Sequence, residues 1–232
     1  FPVRDYGVPG TDYLFRVDMP VTPDLTQVQG ALDAIPLLDG ADEPEAQVES
    51  LYMMATGAGL GMYAPPSPGC PRGGVGYMCF RRDALPVILV FTDATMHNGP
   101  TGLHPYDPTL LGVTPYTAKQ AMDALNMIGA RVIGFDSGAG NARPDLAAFA
   151  NATRAVDGSG QPLVYEIGTR GEKLDTSVVT AIQTLASSFV QDVDAIARDG
   201  NAADGVDATM FVEAIQPLAA TPMSGVASIT PS

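Results

Sequence analysis

The run "LPVILVFTDA", residues 85–94, constrains this chain more than any other stretch. It is the most apolar short segment, rich in β-branched residues, and of strand rather than helix length. A run with no polar alternation predicts a strand covered on both faces, as in a parallel sheet. "ARVIGFD" (130–136) and "PLVYEI" (162–167) read as further strands. Helical patterns alternate with them. One spans 116–128 and stops at Gly129, one begins at Pro144 in "PDLAAFANATRA", and one is capped by Asp175 or Thr176 and runs to about Phe189. This alternation predicts an α/β domain: a three-layer, Rossmann-like arrangement around a mostly parallel central sheet.

The flanking segments are less regular. "YLFRVDM" (13–19) alternates like a strand. In "VTPDLTQVQGALDAI", Thr22 is expected to cap a helix, with Pro23 in its first position and Asp24 in its first turn. Leu25, Val28, Leu32 and Ile35 then form an apolar stripe suited to a core. A second helix is expected over 44–56, with Val48, Leu51 and Tyr52 facing inward. Long Gly- and Pro-rich loops occupy 57–85 and 96–115, lengths that usually mark function or a covalent staple. Late in the chain, "DVDAIARD" alternates like an edge strand and "GVDATMFVEAI" reads as a short helix. A boundary near Gln191 divides a domain, 1–190, from a C-terminal extension or the start of a following domain, 191–232.

Charge narrows the function classes. The chain of 232 residues carries a net charge of −14, with Lys119 and Lys173 as its only lysines. That excludes nucleic acid, whose binding needs cationic side chains to displace counterions. It suits divalent cations and a salty, extracellular setting. No run reaches the roughly 18 apolar residues of a membrane span. The chain opens on Phe1 with neither initiator Met nor leader, and so reads as a piece of something longer. Cys70 and Cys79 share one loop and predict a local disulfide and an oxidising compartment; two free thiols are the other reading. His97 and His104 make no metal-binding spacing with them.

Chemistry gathers where the strands end. Ligands of open parallel α/β sheets sit beyond the carboxyl ends of the strands, and Asp93 stands at such an end. Glu45 opens the second helix, where the dipole favours an acid, and Asp42 and Glu43 precede it. Carboxylates sharing one rim repel each other unless a cation joins them, and hard oxygen ligands suit Mg²⁺ or Ca²⁺. Helix capping by Glu45 and an ordinary strand-end Asp93 make the plainer reading.

"GADEPEAQVESLY" resembles the Asp-x-Pro-Glu helix start of integrin β-subunit I-like domains and of bacterial von Willebrand factor A domains. "VILVFTDATMH" is similar to their buried strand ending in Thr-Asp-Ala, and "ALNMIGARVIGFDSG" with "ARPDLAAFANATRAV" to the next strand and helix. The likeness runs over 1–190. It implies a metal-ion-dependent adhesion site for Mg²⁺ or Ca²⁺, with Glu45 and Asp93 as ligands and Asp42 at an adjacent calcium site. It also implies a carboxylate from a protein or matrix partner that completes the coordination. The family's Asp-x-Ser-x-Ser loop is absent from this sequence. "FPVRDYG" resembles the end of the second strand, so the first strand, its loop and the first helix would precede Phe1. They could belong to the longer protein or to a separate chain that associates with this one; otherwise the domain lacks the site.

Other motifs lead nowhere. "GAGLG" (57–61) lacks both the P-loop lysine and the dinucleotide-binding spacing. "NAT" at Asn151 falls within an expected helix, and no nucleophile–base set points to an enzyme. The resulting expectation is a cell-adhesion module that is secreted or at a bacterial cell surface, with the periplasmic side as the variant. The alternative is a structural or assembly component of a surface or motility complex, its metal site vestigial or stabilising.

Overall fold

The structure, a computed structural model, describes residues 13–36, 44–71, 73–138, 140–188, 197–201 and 203–213. Among these residues three strands form one sheet: β1 (Val87–Thr92), β2 (Arg131–Asp136) and β3 (Val164–Glu166), in that order across it. Both pairings are parallel, with Phe91, Phe135 and Tyr165 in register and Thr92, Asp136 and Glu166 aligned at the carboxyl ends. Among the described residues six α-helices accompany them: α1 (Leu25–Asp33), α2 (Gln47–Thr56), α3 (Pro108–Leu111), α4 (Ala118–Met127), α5 (Arg143–Ala152) and α6 (Leu174–Ser188). The crossovers α4 and α5 make this the α/β fold with a parallel, Rossmann-like sheet that the alternation predicts.

The core forms around β2. Val132, Ile133 and Phe135 are fully buried, so both faces of this strand are covered. Gly134 sits against Leu146 of α5, where an added Cβ would lie 2.8 Å from the Leu146 Cβ. The missing side chain is what lets helix and sheet approach. Thr153, just past α5, donates its hydroxyl to the Phe149 carbonyl and accepts the Val132 N–H, fastening the helix end to the strand. α4 begins on a full capping box between Thr117 and Gln120 and runs out into Gly129 in the left-handed region (φ 69).

β1 departs from the expectation of cover on both faces. Only Ile88 is buried, and Phe91 is 48% exposed although it stacks on Phe135. Among the described residues β1 is an edge, with β2 on one side only. The carbonyls of Pro86 and Thr92 accept from Arg131 and Ser137 beside β2. Backbone groups alternate sides along a parallel strand, so Val87, Leu89 and Phe91 turn theirs to the open side.

The N-terminal expectations are corrected further. Residues 13–19 form bends rather than a strand; only Leu14 is buried, and Arg16 pairs with Asp18 at 2.6 Å and lies over the Tyr13 ring. Asp24, not Thr22, caps α1 by accepting from the Thr26 and Gln27 amides, which puts Pro23 outside the helix. No residue of α1 is buried; Leu25 is 78% exposed, and Leu32 and Ile35 are exposed too. An apolar stripe needs a surface to press on, and the described residues offer this one none.

Elsewhere the differences are smaller. α2 starts at Gln47, so Glu45 stands before the helix; Val48 and Leu51 are buried, and Tyr52 stacks on Tyr116. α6 starts at Leu174, with Asp175 in its first turn rather than capping it. A 3₁₀ turn, Ala208–Phe211, replaces the late helix, and the expected edge strand falls mostly outside the described residues. α3 was not signalled by any helical periodicity. Cys70 and Cys79 form a disulfide with Cα atoms 5.4 Å apart. A closed loop of this length contributes roughly 2.5 kcal/mol by the chain-entropy estimate.

Candidate cation-binding rim

The carboxyl ends of the strands form an acidic rim. β1 ends at Thr92, whose hydroxyl accepts from the Gln47 side-chain amide at 2.8 Å and from the Ala94 N–H at 3.1 Å. This single oxygen ties the strand end to the first turn of α2. Asp93 follows with an exposed side chain. Gly140 lies so close to the Asp93 carbonyl that no Cβ would fit, so the turn after β2 packs directly on the Asp93 backbone.

Glu45 reaches the same rim by a different route. Its N–H donates to the Thr95 carbonyl, and its own carbonyl accepts from the His97 N–H, both at 2.9 Å. This is a one-residue parallel bridge between Glu45 and Met96. It sets Glu45 beside the segment that begins at Asp93, with the Glu45 side chain exposed. Backbone pairing rather than helix capping holds Glu45 here. Asp42, the remaining expected ligand, lies outside the described residues.

The strands beyond β1 also end in acid. Asp136 is buried and accepts the Gly138 N–H at 2.8 Å, while Glu166 is exposed. Both are the last residues of their strands, level with Thr92 and one position short of Asp93, so the same strand-end reasoning applied to "VIGFD" and "VYEI" finds them. Among the described residues no three of His, Cys, Asp and Glu cluster closely enough to hold a metal ion. Glu45 and Asp93 are donors of the class a hard cation takes, but too few.

Two buried acids support the loop that leaves the rim. Asp145 of α5 is fully buried and accepts the Met96 N–H on one oxygen and the Thr101 N–H on the other, each at 3.0 Å. Glu49 of α2 is also fully buried. One of its oxygens accepts from the Asn98 side-chain amide at 3.2 Å, and its Oε2 has no hydrogen-bond partner. Burial pushes the Glu49 carboxyl up to about 8, against the opposing pull of its own backbone N–H, the Asn98 amide, His97 and the Tyr116 backbone. Neither acid stands out from the sequence: Glu49 looks like a polar residue of a helix face, and Asp145 like a first-turn acid.

The histidines divide. His97 is buried, stacked on Tyr106 with ring centroids 3.9 Å apart, and donates from Nδ1 to the His104 carbonyl. His104 is exposed. No protein-family model matches this chain, and no curated protein matches it.

Proposed function

We propose that this chain is the greater part of a von Willebrand factor A-type adhesion module, which grips a protein or matrix partner through Mg²⁺ or Ca²⁺ at the carboxyl rim of its sheet. The observation that carries the reading is the bridge between Glu45 and Met96, which sets one acid-bearing segment beside the other. The motifs "DEPEAQVESLY" and "VFTDATMH" add their resemblance to that family. The disulfide suits the oxidising compartment of a secreted or surface protein. When bound, the cation would bridge acidic surfaces that otherwise repel each other. Glu45 and Asp93 would hold it, with further oxygen donors from Asp42 and the partner.

Binding to this chain alone is therefore weak, and the test must register weak binding. Mn²⁺ titrated into the isotope-labelled chain should broaden the amide resonances of Glu45, Asp93 and Thr95 first. The doubly substituted Glu45→Gln, Asp93→Asn chain should lose that broadening. Broadening that ignores the rim, or survives both substitutions, rules the reading out.

The open side of β1 favours a second reading: a structural or assembly component that packs inside a larger complex. An apolar parallel strand with Phe91 half in water and outward-facing backbone groups suits a neighbouring strand. A complex that forms equally well in chelator would favour assembly over adhesion.

A further inference from the structure

We propose that Glu49 is a positioning residue that works in its neutral form: it holds Asn98 in place, and the 97–106 loop opens with loss of the Glu49 proton.

Asn98 is the pivot of this loop. Its backbone lies in the left-handed region (φ 51), which Asn tolerates better than most side chains. From there it makes three hydrogen bonds that define the loop. Its N–H donates to the His104 carbonyl at 3.0 Å, its side-chain oxygen accepts the Tyr106 N–H at 3.0 Å, and its side-chain amide donates to the Tyr116 carbonyl at 2.9 Å. The same amide also donates to Glu49. Glu49 thus sits beneath the residue that closes the loop, on a helix whose neighbouring positions Val48 and Leu51 are core.

Burial outweighs the groups around Glu49 that favour a charge. From the loop, His97 faces it, and from the turn before α4, Tyr116 does; Tyr52 of its own helix stacks on Tyr116. Asp145 supports the loop from α5 with both oxygens engaged. The charged residues of α4, Lys119 and Asp123, pair with each other at the surface at 2.6 Å and offer no counter-charge. A carboxylate here has one oxygen without a donor. Because α2 is anchored in the core, the cheapest route to water is displacement of the loop.

The direction of the pH effect follows from linkage. Folding raises the Glu49 pKa from 4.5 to about 8, so the closed loop retains a proton that the open, hydrated carboxyl releases. Opening is therefore promoted as pH rises from the ordinary carboxyl value, and the effect is complete once pH passes the raised value. The proposal stands apart from the cation reading, because its readout involves no metal.

Amide hydrogen exchange of the whole chain, corrected for intrinsic rates and followed from about pH 5 to about pH 8, tests it. Protection of the Asn98 and Tyr106 amides should fall in the unsubstituted chain, by up to about tenfold per pH unit. Glu49→Gln keeps an acceptor for Asn98 and removes the charge, so its protection should match the unsubstituted chain at the acid end and stay level. Asn98→Gly tolerates the backbone conformation but loses the side chain; protection at Tyr106 should be low throughout, with no slope. A level profile in the unsubstituted chain overturns the proposal. So does an equal slope in Glu49→Gln, or undiminished Tyr106 protection in Asn98→Gly.

Discussion

β1 and β2 are near-synonyms in sequence and opposites in setting. "VILVFT" and "RVIGFD" have the same length and lie in register. β2 has neighbours on both sides and is buried from Val132 to Asp136, whereas β1 has, among the described residues, one neighbour and a single buried residue. The difference teaches that an apolar run encodes the burial a strand is suited to, not the burial it receives from the residues at hand. β1, judged by composition, belongs in the middle of a sheet.

Substitutions can sharpen this contrast or dissolve it. The largest effect is expected at Ile133, fully buried on β2: Ile133→Ala should cost about 3 kcal/mol in urea denaturation, through lost transfer energy and the cavity left behind. Leu89, its register partner on β1, is only half-buried, and Leu89→Ala should cost about 1 kcal/mol. If the two cost the same, β1 is covered in solution, and a cost that shrinks on dilution would identify the cover as another copy. Phe91→Ser should cost no more than Leu89→Ala, about 1 kcal/mol, because half the ring is already in water. It should still lower any concentration-dependent association measured by sedimentation. A large loss of stability instead would mean that the Phe91–Phe135 stack supports the core.

The parts of the fold legible in the sequence are those with a local cause. β2 declared itself by its apolar run, α4 by the Gly129 stop, and α5 by Pro144. The apolar stripe of α1 misled, because periodicity records a wish for burial and not a partner. For the rim, Asp93 was readable from its place at the end of an apolar run, as Asp136 and Glu166 would have been. The partnership of Glu45 with Thr95 and His97 was not. It is a backbone bridge across some fifty residues, and backbone groups are the same in every residue. Glu49 and Asp145 were hidden for a related reason: an acid becomes a buried support only when the loop above it folds.

The bare stripe of α1 has a consequence for how long that helix exists. Nine residues are fewer than the roughly 12–15 that make a free helix even marginal in water. What remains is local: the Asp24 cap, reinforced by the Gln27 side chain donating to the same carboxylate at 2.8 Å, and the Gln29 side chain donating to Asp33 at 2.8 Å in the last turn. A helix held, among the described residues, only by such local bonds should wind and unwind on the sub-microsecond timescale of a peptide, roughly 0.1–1 μs, while the sheet stays intact. A protease that cleaves after leucine should therefore enter at Leu25 or Leu32 well before it reaches the core, and anything that presses on the stripe should first close that door.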